Sequence, residues 1–269
     1  MLKLRLPLTV SFLVLAVGSV AATTINQFNV PVIQDFDSLA ISGTTNSVLP
    51  AGWSFAESGT GANTTYAAGT GSSSTGNTYS FGATGSTDRA FGTLRTSSLL
   101  SEIGTEVVNA TGATITSLAI AYTGEQWRLG AIGRIDRLAF AYSLDATSLT
   151  TGTWLDVAEL DFVAPITTGA TGALDGNEVA NQSAISYTIT GLNLVSSATV
   201  WLRWSDFVAA GSNDGLAIDQ VSISALRTVI PQPPTATVPE GMPSGFLIVV
   251  LLGLLRAGAV RGKSEIDPC

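Results

Sequence analysis

The sequence predicts an all-β fold: an antiparallel two-sheet sandwich or jelly roll, with short hydrophobic helices at the N- and C-termini. Three observations carry this. Short stretches alternate large apolar side chains with small or polar ones at period two, so that one strand face packs on a core. Clusters of Gly, Asn, Asp, Ser and Thr bound those stretches and supply turns. Between residues 24 and 226 no segment shows helical periodicity with caps, while Thr, Val, Ile and aromatic residues, which suit a pleated surface, are abundant.

The elements follow in chain order. Lys3 and Arg5 precede an apolar stretch at 6–20 that ends in Ser19-Val20-Ala21-Ala22, the order of a secretory signal peptide, assigned to residues 1–22. The apolar stretch is shorter than the ~20 residues needed to span a bilayer and contains Pro7. Signal peptidase is therefore an expected partner, with cleavage after Ala21 or Ala22. The expected destination is the cell envelope, the outer surface or an extracellular matrix.

Residues 24–226 are read as one large β-sandwich domain. It carries six arginines and no lysine against seventeen Asp and Glu, a net charge of −11. That balance repels phosphate backbones and argues against nucleic acid as a partner. The chain has no histidine, which excludes Ser-His-Asp triads and ordinary catalytic zinc sites. Its single cysteine is Cys269, so no disulfide framework holds the domain, and stability must come from a sizeable apolar core.

Within the domain, residues 118–122, 138–142, 185–189 and 200–204 are the clearest strands. In the last of these, alternation sends Trp201 and Arg203 to one face and Val200, Leu202 and Trp204 to the other. Residues 59–86 are rich in Gly, Ser, Thr and Asn, with Tyr66, Tyr79 and Phe81 as anchors. They form either a long surface loop or two weak strands around a glycine-rich turn.

Residues 227–244 include four prolines between 231 and 239 and read as an extended linker. A hydrophobic sorting or anchor segment at 245–260 and a short polar tail at 261–269 follow it. The order of Val238-Pro239-Glu240, an apolar segment, and Arg256, Arg261 and Lys263 resembles C-terminal sorting signals of the PEP-CTERM type. That resemblance implies an exosortase-like processing enzyme as partner and a membrane association through the C-terminal segment. Gly241 stands where that pattern has a second proline, and Glu265 and Asp267 trail the basic residues. A plain hydrophobic anchor is the alternative.

A second resemblance covers roughly residues 35–225. Gly124-Glu125-Gln126-Trp127-Arg128, Asp136-Arg137-Leu138, Tyr142-Ser143-Leu144-Asp145 and Asp214-Gly215-Leu216-Ala217-Ile218-Asp219 resemble a β-sandwich module of exported bacterial proteins. It implies a fold and a compartment, with no functional residues to carry over.

Two constellations are candidates for carbohydrate binding. Glu125, Trp127 and Arg128 on a sandwich rim would stack a sugar on the indole and hydrogen-bond its hydroxyls; otherwise Trp127 plugs the end of the core and Arg128 pairs with a carboxylate. Trp201 and Arg203 form a second platform if their face is open. If it is covered, Arg203 needs a carboxylate partner, with Asp206 or Asp219 nearest in sequence. Asp206, Asn213, Asp214 and Asp219 offer hard oxygen ligands suited to calcium, and Asp35 and Asp37 would share one strand face near or apart from them. Calcium is the one cofactor these residues suggest; Asn213-Asp214-Gly215 is equally good turn chemistry.

The functional expectation is a non-catalytic envelope- or matrix-associated protein, structural or binding a polysaccharide. The alternative is a carboxylate-dependent glycan-active enzyme, for which Glu125 with Asp206 or Asp219 is the available pair. Asn63, Asn109 and Asn181 begin triplets that match glycosylation acceptors, a frequent chance pattern in chains of this composition.

Overall fold

The computed structural model describes residues 22–227. The signal segment, the linker, the terminal hydrophobic segments and Val238, Pro239 and Glu240 lie outside the described residues. In chain order the strands are β1 (Thr23–Ile25), β2 (Val32–Gln34), β3 (Trp53–Ser58), β4 (Ala67–Gly69), β5 (Asn77–Phe81), β6 (Ala90–Leu94), β7 (Leu100–Asn109) and β8 (Ile115–Leu129). They continue with β9 (Arg137–Ser143), β10 (Leu155–Asp156), β11 (Phe162–Val163), β12 (Gly172–Ala173), β13 (Gln182–Leu194), β14 (Thr199–Asp206) and β15 (Gly215–Ala225). Two three-residue 3-10 turns, Ala158–Leu160 and Val179–Asn181, are the helical elements among the described residues. No helix there is long and apolar enough to cross a membrane.

The strands form two sheets. Sheet A runs β1-β7-β14-β9-β10, with β3 also on β7 and β11 also on β9. Sheet B runs β12-β8-β15-β6-β5-β4, with β13 also on β8 and β2 also on β15. Each of the four predicted strands lies inside an observed one, β8, β9, β13 and β14. Two pairings depart from the expected antiparallel arrangement, since β1 lies parallel to β7 and β4 parallel to β5. Both involve three-residue segments at sheet edges, where a short chain arriving from a loop can add in either direction. Residues 59–86 contain β4 and β5, so the two-strand expectation holds there. Tyr66, Tyr79 and Phe81 supply the anchoring, each at most 4% exposed.

The main core fills the space between the sheets, as alternation requires. Ile103 and Val107 of β7, Phe140 of β9, and Val200, Leu202 and Trp204 of β14 meet Leu118, Ile120 and Tyr122 of β8 and Leu216 and Ile218 of β15. At its centre the Trp204 ring lies 5.8 Å from Trp53, 5.5 Å from Tyr122 and 5.0 Å from Phe140. Both outer faces also carry apolar clusters. On sheet B, Tyr79, Phe81, Leu94, Trp127 and Ala217 pack together. On sheet A, Trp201 packs with Ala146 and Leu149 from the loop after β9, against Ala56 and Trp154.

Candidate functional site

Sequence reasoning placed Glu125, Trp127 and Arg128 on a rim after a strand. They are instead part of β8, which continues to Leu129. Trp127 faces outward from sheet B, yet it is only 2% exposed. Phe81 stacks on it at 6.0 Å and 5°, and Tyr79 stacks on Phe81 at 4.9 Å and 24°. Gly176 covers the indole so closely that a Cβ there would sit 2.3 Å from it. The ring is therefore covered on the outer face of sheet B rather than plugging the end of the main core, and Arg128 meets the Gly71 and Ser72 carbonyls rather than a carboxylate.

Glu125 is sealed beside it. Its Oε2 accepts a hydrogen bond from Trp127 Nε1 at 2.9 Å, and its Oε1 one from Gln182 Nε2 at 3.3 Å. Burial pushes the carboxyl up to about 8, with the charge of Asp219 adding to the rise. Asp219 is pushed up to about 7, first by burial and then by the charges of Asp88, Asp37 and Asp35. Glu125 and Asp219 are thus electrostatic neighbours, as the enzyme alternative needs, but they are 2% and 6% exposed. Asp206 belongs elsewhere, its charged neighbours being Asp136 and Arg95.

The four suggested calcium ligands do not converge. Among the described residues no group of three acidic side chains is placed to hold a cation. Asp206 Oδ2 accepts from Thr93 Oγ1 at 2.8 Å and from the Arg95 amide at 3.0 Å. Asp214 Oδ1 accepts from the Gly130 amide at 2.7 Å and from Arg134 at 3.0 Å, and its Oδ2 from Gln126 Nε2 at 2.8 Å. Asn213 spans the Ala209 amide and the Arg95 carbonyl. Burial pushes Asp214 up to about 6 despite the Gly130 amide. Amide, hydroxyl and guanidinium donors fill both oxygens of Asp214 and Oδ2 of Asp206, which fasten the loop at 207–214, while Asp206 Oδ1 and Asp219 Oδ1 are buried without a hydrogen-bond partner among the described residues. Asp35 and Asp37 lie toward Asp219, apart from that loop.

Trp201 and Arg203 share the outer face of sheet A, as alternation predicted, and that face is partly covered. Trp201 is 9% exposed. Arg203 finds a carboxylate that sequence proximity did not suggest: Glu102 on β7, at 3.0 Å. The cross-strand register explains this, because Arg203 stands opposite Gly104 and Ser205 opposite Glu102. Ser205 also donates to Glu102 at 3.0 Å, and Arg203 donates to the Leu149 carbonyl at 2.8 Å. The guanidinium lies 3.9 Å over the ring of half-buried Trp154. Trp154 was missed in the sequence, where it stands in a turn-rich stretch with no alternation to mark it.

Beside this cluster, along edge strand β3, runs a groove of about 520 Å³ walled by Ser54, Ala56, Glu57, Asn63, Thr64 and Thr150. Ser54 and Ala56 stand opposite Gly104 and Glu102, so the groove floor continues the face that carries Arg203. The Ser54 hydroxyl is buried without a hydrogen-bond partner among the described residues. Glu57 is engaged, accepting from the Thr78 amide and hydroxyl at 2.8 Å each and from the Asn63 amide at 3.0 Å.

Comparison with solved structures gives distant matches. The K3 cleaved adhesin domain of Lys-gingipain from Porphyromonas gingivalis W83 is 14% identical with a TM-score of 0.41, over 72% of this chain and 99% of that one. The CBM22-1 xylan-binding domain from Paenibacillus barcinonensis Xyn10C is 8% identical with a TM-score of 0.33, over 76% and 98%. The enzymatically active domain of Bacteriophage CBA120 tailspike protein 4 is 11% identical with a TM-score of 0.35 over 65% of this chain, which spans only 19% of that structure. No family model matches the chain, and no curated protein matches it in sequence.

Proposed function

We propose that this is an exported, envelope- or matrix-associated β-sandwich protein that binds a neutral stretch of polysaccharide on the outer face of sheet A without cleaving it. One observation carries the reading: the groove along β3 combines hydroxyl and amide side chains (Ser47, Ser54, Asn63, Thr64, Thr150) with apolar Leu49, Trp53, Phe55 and Ala56, and contains a single carboxylate, Glu57, whose oxygens are already taken. Its volume suits a few sugar units, and Arg203 stacked on Trp154 provides an ordered apolar and polar edge beside it. Glycoside hydrolysis needs two free carboxylates across a cleft, about 5 to 9.5 Å apart; this groove offers none. In this reading the N-terminal segment directs export, and the C-terminal segment holds the domain at the envelope or is processed by an exosortase-like enzyme.

The test is titration of the domain with a panel of neutral oligosaccharides, with reducing ends measured in parallel. Binding without new reducing ends, weakened at least about tenfold by Trp154→Ala and by Thr150→Trp, supports the reading. Accumulating reducing ends that vanish in Glu125→Gln would establish the enzyme alternative instead. Absence of saturable binding to any glycan would leave a structural role.

A further inference from the structure

The domain spends its few positive charges carefully. Between residues 24 and 226, six arginines face seventeen acidic residues. Arg134, Arg137 and Arg203 each have a carboxylate partner within 3.2 Å. Arg89 is 2% exposed and is consumed by Ser80 and the Gly69 carbonyl. Arg95 and Arg128 are the remaining two, and neither forms an ion pair among the described residues. Both line the same pocket, of about 250 Å³, whose wall contains no acidic side chain.

Each guanidinium is fastened by one edge only. Arg95 Nη1 donates to the Asp206 carbonyl at 2.8 Å, and Arg128 Nη1 donates to the carbonyls of Gly71 and Ser72 at 3.1 and 3.2 Å. These hydrogen-bond partners are neutral, and the buried Asp206 carboxyl, which feels the Arg95 charge, forms no ion pair with it. The Nε and Nη2 donors of both residues have no partner among the described residues, and none of these atoms is sealed from solvent. An arginine held by its other edge has already lost much of its rotamer freedom, so a carboxylate or sulfate meeting its free edge costs little further ordering.

The surrounding loops are fixed as well. Asn213 Nδ2 ties the rim at 207–214 to the Arg95 carbonyl at 3.1 Å, and Tyr79 ties the loop at 70–76 through the Thr75 carbonyl at 2.8 Å. The remaining polar wall is made of the hydroxyls of Ser74, Thr96, Ser97 and Ser212. Hydroxyl donors and acceptors around two free guanidinium edges match a sugar that carries an anion.

We propose that the pocket between Arg95 and Arg128 binds an acidic sugar unit, through the carboxylate of a uronic acid or the sulfate ester of a sulfated sugar. This deepens the polysaccharide reading by naming a sugar class, at a place separate from the groove on sheet A.

The experiment titrates the domain with three oligosaccharides of equal length: oligogalacturonate, sulfated oligogalactose and neutral oligogalactose. At least one anionic oligosaccharide binds, and its affinity falls at least about tenfold in Arg95→Gln and Arg128→Gln. It also falls as salt rises from about 0.05 to 0.5 M. Which of the two binds identifies the anion. Ser212→Trp, which fills the pocket at an exposed position and leaves both charges in place, also abolishes binding; thermal melting confirms that each variant is folded. Trp154→Ala leaves anionic binding intact. Anionic and neutral oligosaccharides binding alike, or anionic binding unchanged in folded arginine variants, overturns the proposal while leaving the groove reading standing. Anionic binding that needs Arg95 and Arg128, without any neutral binding, sustains the proposal and removes the groove.

Discussion

Trp127 donates its indole N–H to Glu125 at 2.9 Å across one outer strand face, and both side chains are 2% exposed. A carboxyl in that position is held largely protonated at neutral pH, because burial pushes it up to about 8. Asp219 follows at about 7. Unfolded, both groups titrate near 4. The folded state therefore binds more protons between those limits, and its stability falls as pH rises from about 5 to 8. The midpoint of thermal unfolding is expected to drop by at least about 3 °C between pH 5.5 and 8.5. Glu125→Gln keeps the acceptor for Trp127 and flattens that slope. An equally steep slope in Glu125→Gln with Asp219→Asn would assign the pH dependence to other carboxyls, among them Asp206 and Asp214, which burial also pushes up.

The ring of Trp204 touches both sheets through Trp53, Phe140 and Tyr122 and has no exposed surface. Trp204→Ala leaves a cavity among aromatic neighbours that cannot collapse into it. Urea denaturation should show a loss of about 3–5 kcal/mol. Trp154→Ala, at a half-buried position on the outer face, should cost less than about half of that.

That contrast marks how far the sequence could be read. Period-two alternation located β8, β9, β13 and β14 and sent Val200, Leu202 and Trp204 inward, because a strand's faces are fixed by its own geometry. What covers the other face depends on loops that pack over it from elsewhere in the chain. Gly176 on Trp127 and Leu149 beside Trp201 lie roughly fifty residues from the rings they cover. For the same reason Glu102 was not foreseen as the partner of Arg203: β7 and β14 are adjacent in the sheet, and no local pattern records it. Asp206 and Asp214 presented the right atoms for calcium, but their hydrogen-bond donors come from β6, β8 and the loop before β9. Arg128 was recognised as a candidate, whereas Arg95, which shares its pocket, carried no signal beyond being one of six arginines.

Asp214 joins the Gly130 amide, Arg134 and Gln126 at one buried point. Asp214→Ala strips three donors at once and leaves Arg134 with Asp136 and the Ser212 carbonyl. The expected cost is about 2–4 kcal/mol. Because donors already fill this carboxylate, the loss should be the same in chelator and in millimolar calcium. A larger loss with calcium present would restore a cation to this cluster.

Gly71 connects the fold to the arginine pocket. Its φ is +77°, and a Cβ there would lie 1.7 Å from the Trp127 carbonyl oxygen, so any larger residue faces both an unfavourable backbone conformation and a backbone clash. The chain can escape only by moving the loop at 70–76 away from β8. That loop supplies the Gly71 and Ser72 carbonyls that fasten Arg128. Gly71→Ala is therefore expected to lower stability by about 2 kcal/mol or more and to weaken anionic-sugar binding, although neither Arg95 nor Arg128 is altered. Gly85→Ala, a control with positive φ but nothing within 4 Å of the added methyl, should carry only the backbone strain and leave binding unchanged. Equal binding losses in the two variants would show that Gly71 acts through general destabilisation. A loss confined to Gly71→Ala would show that the loop holds the guanidinium in place.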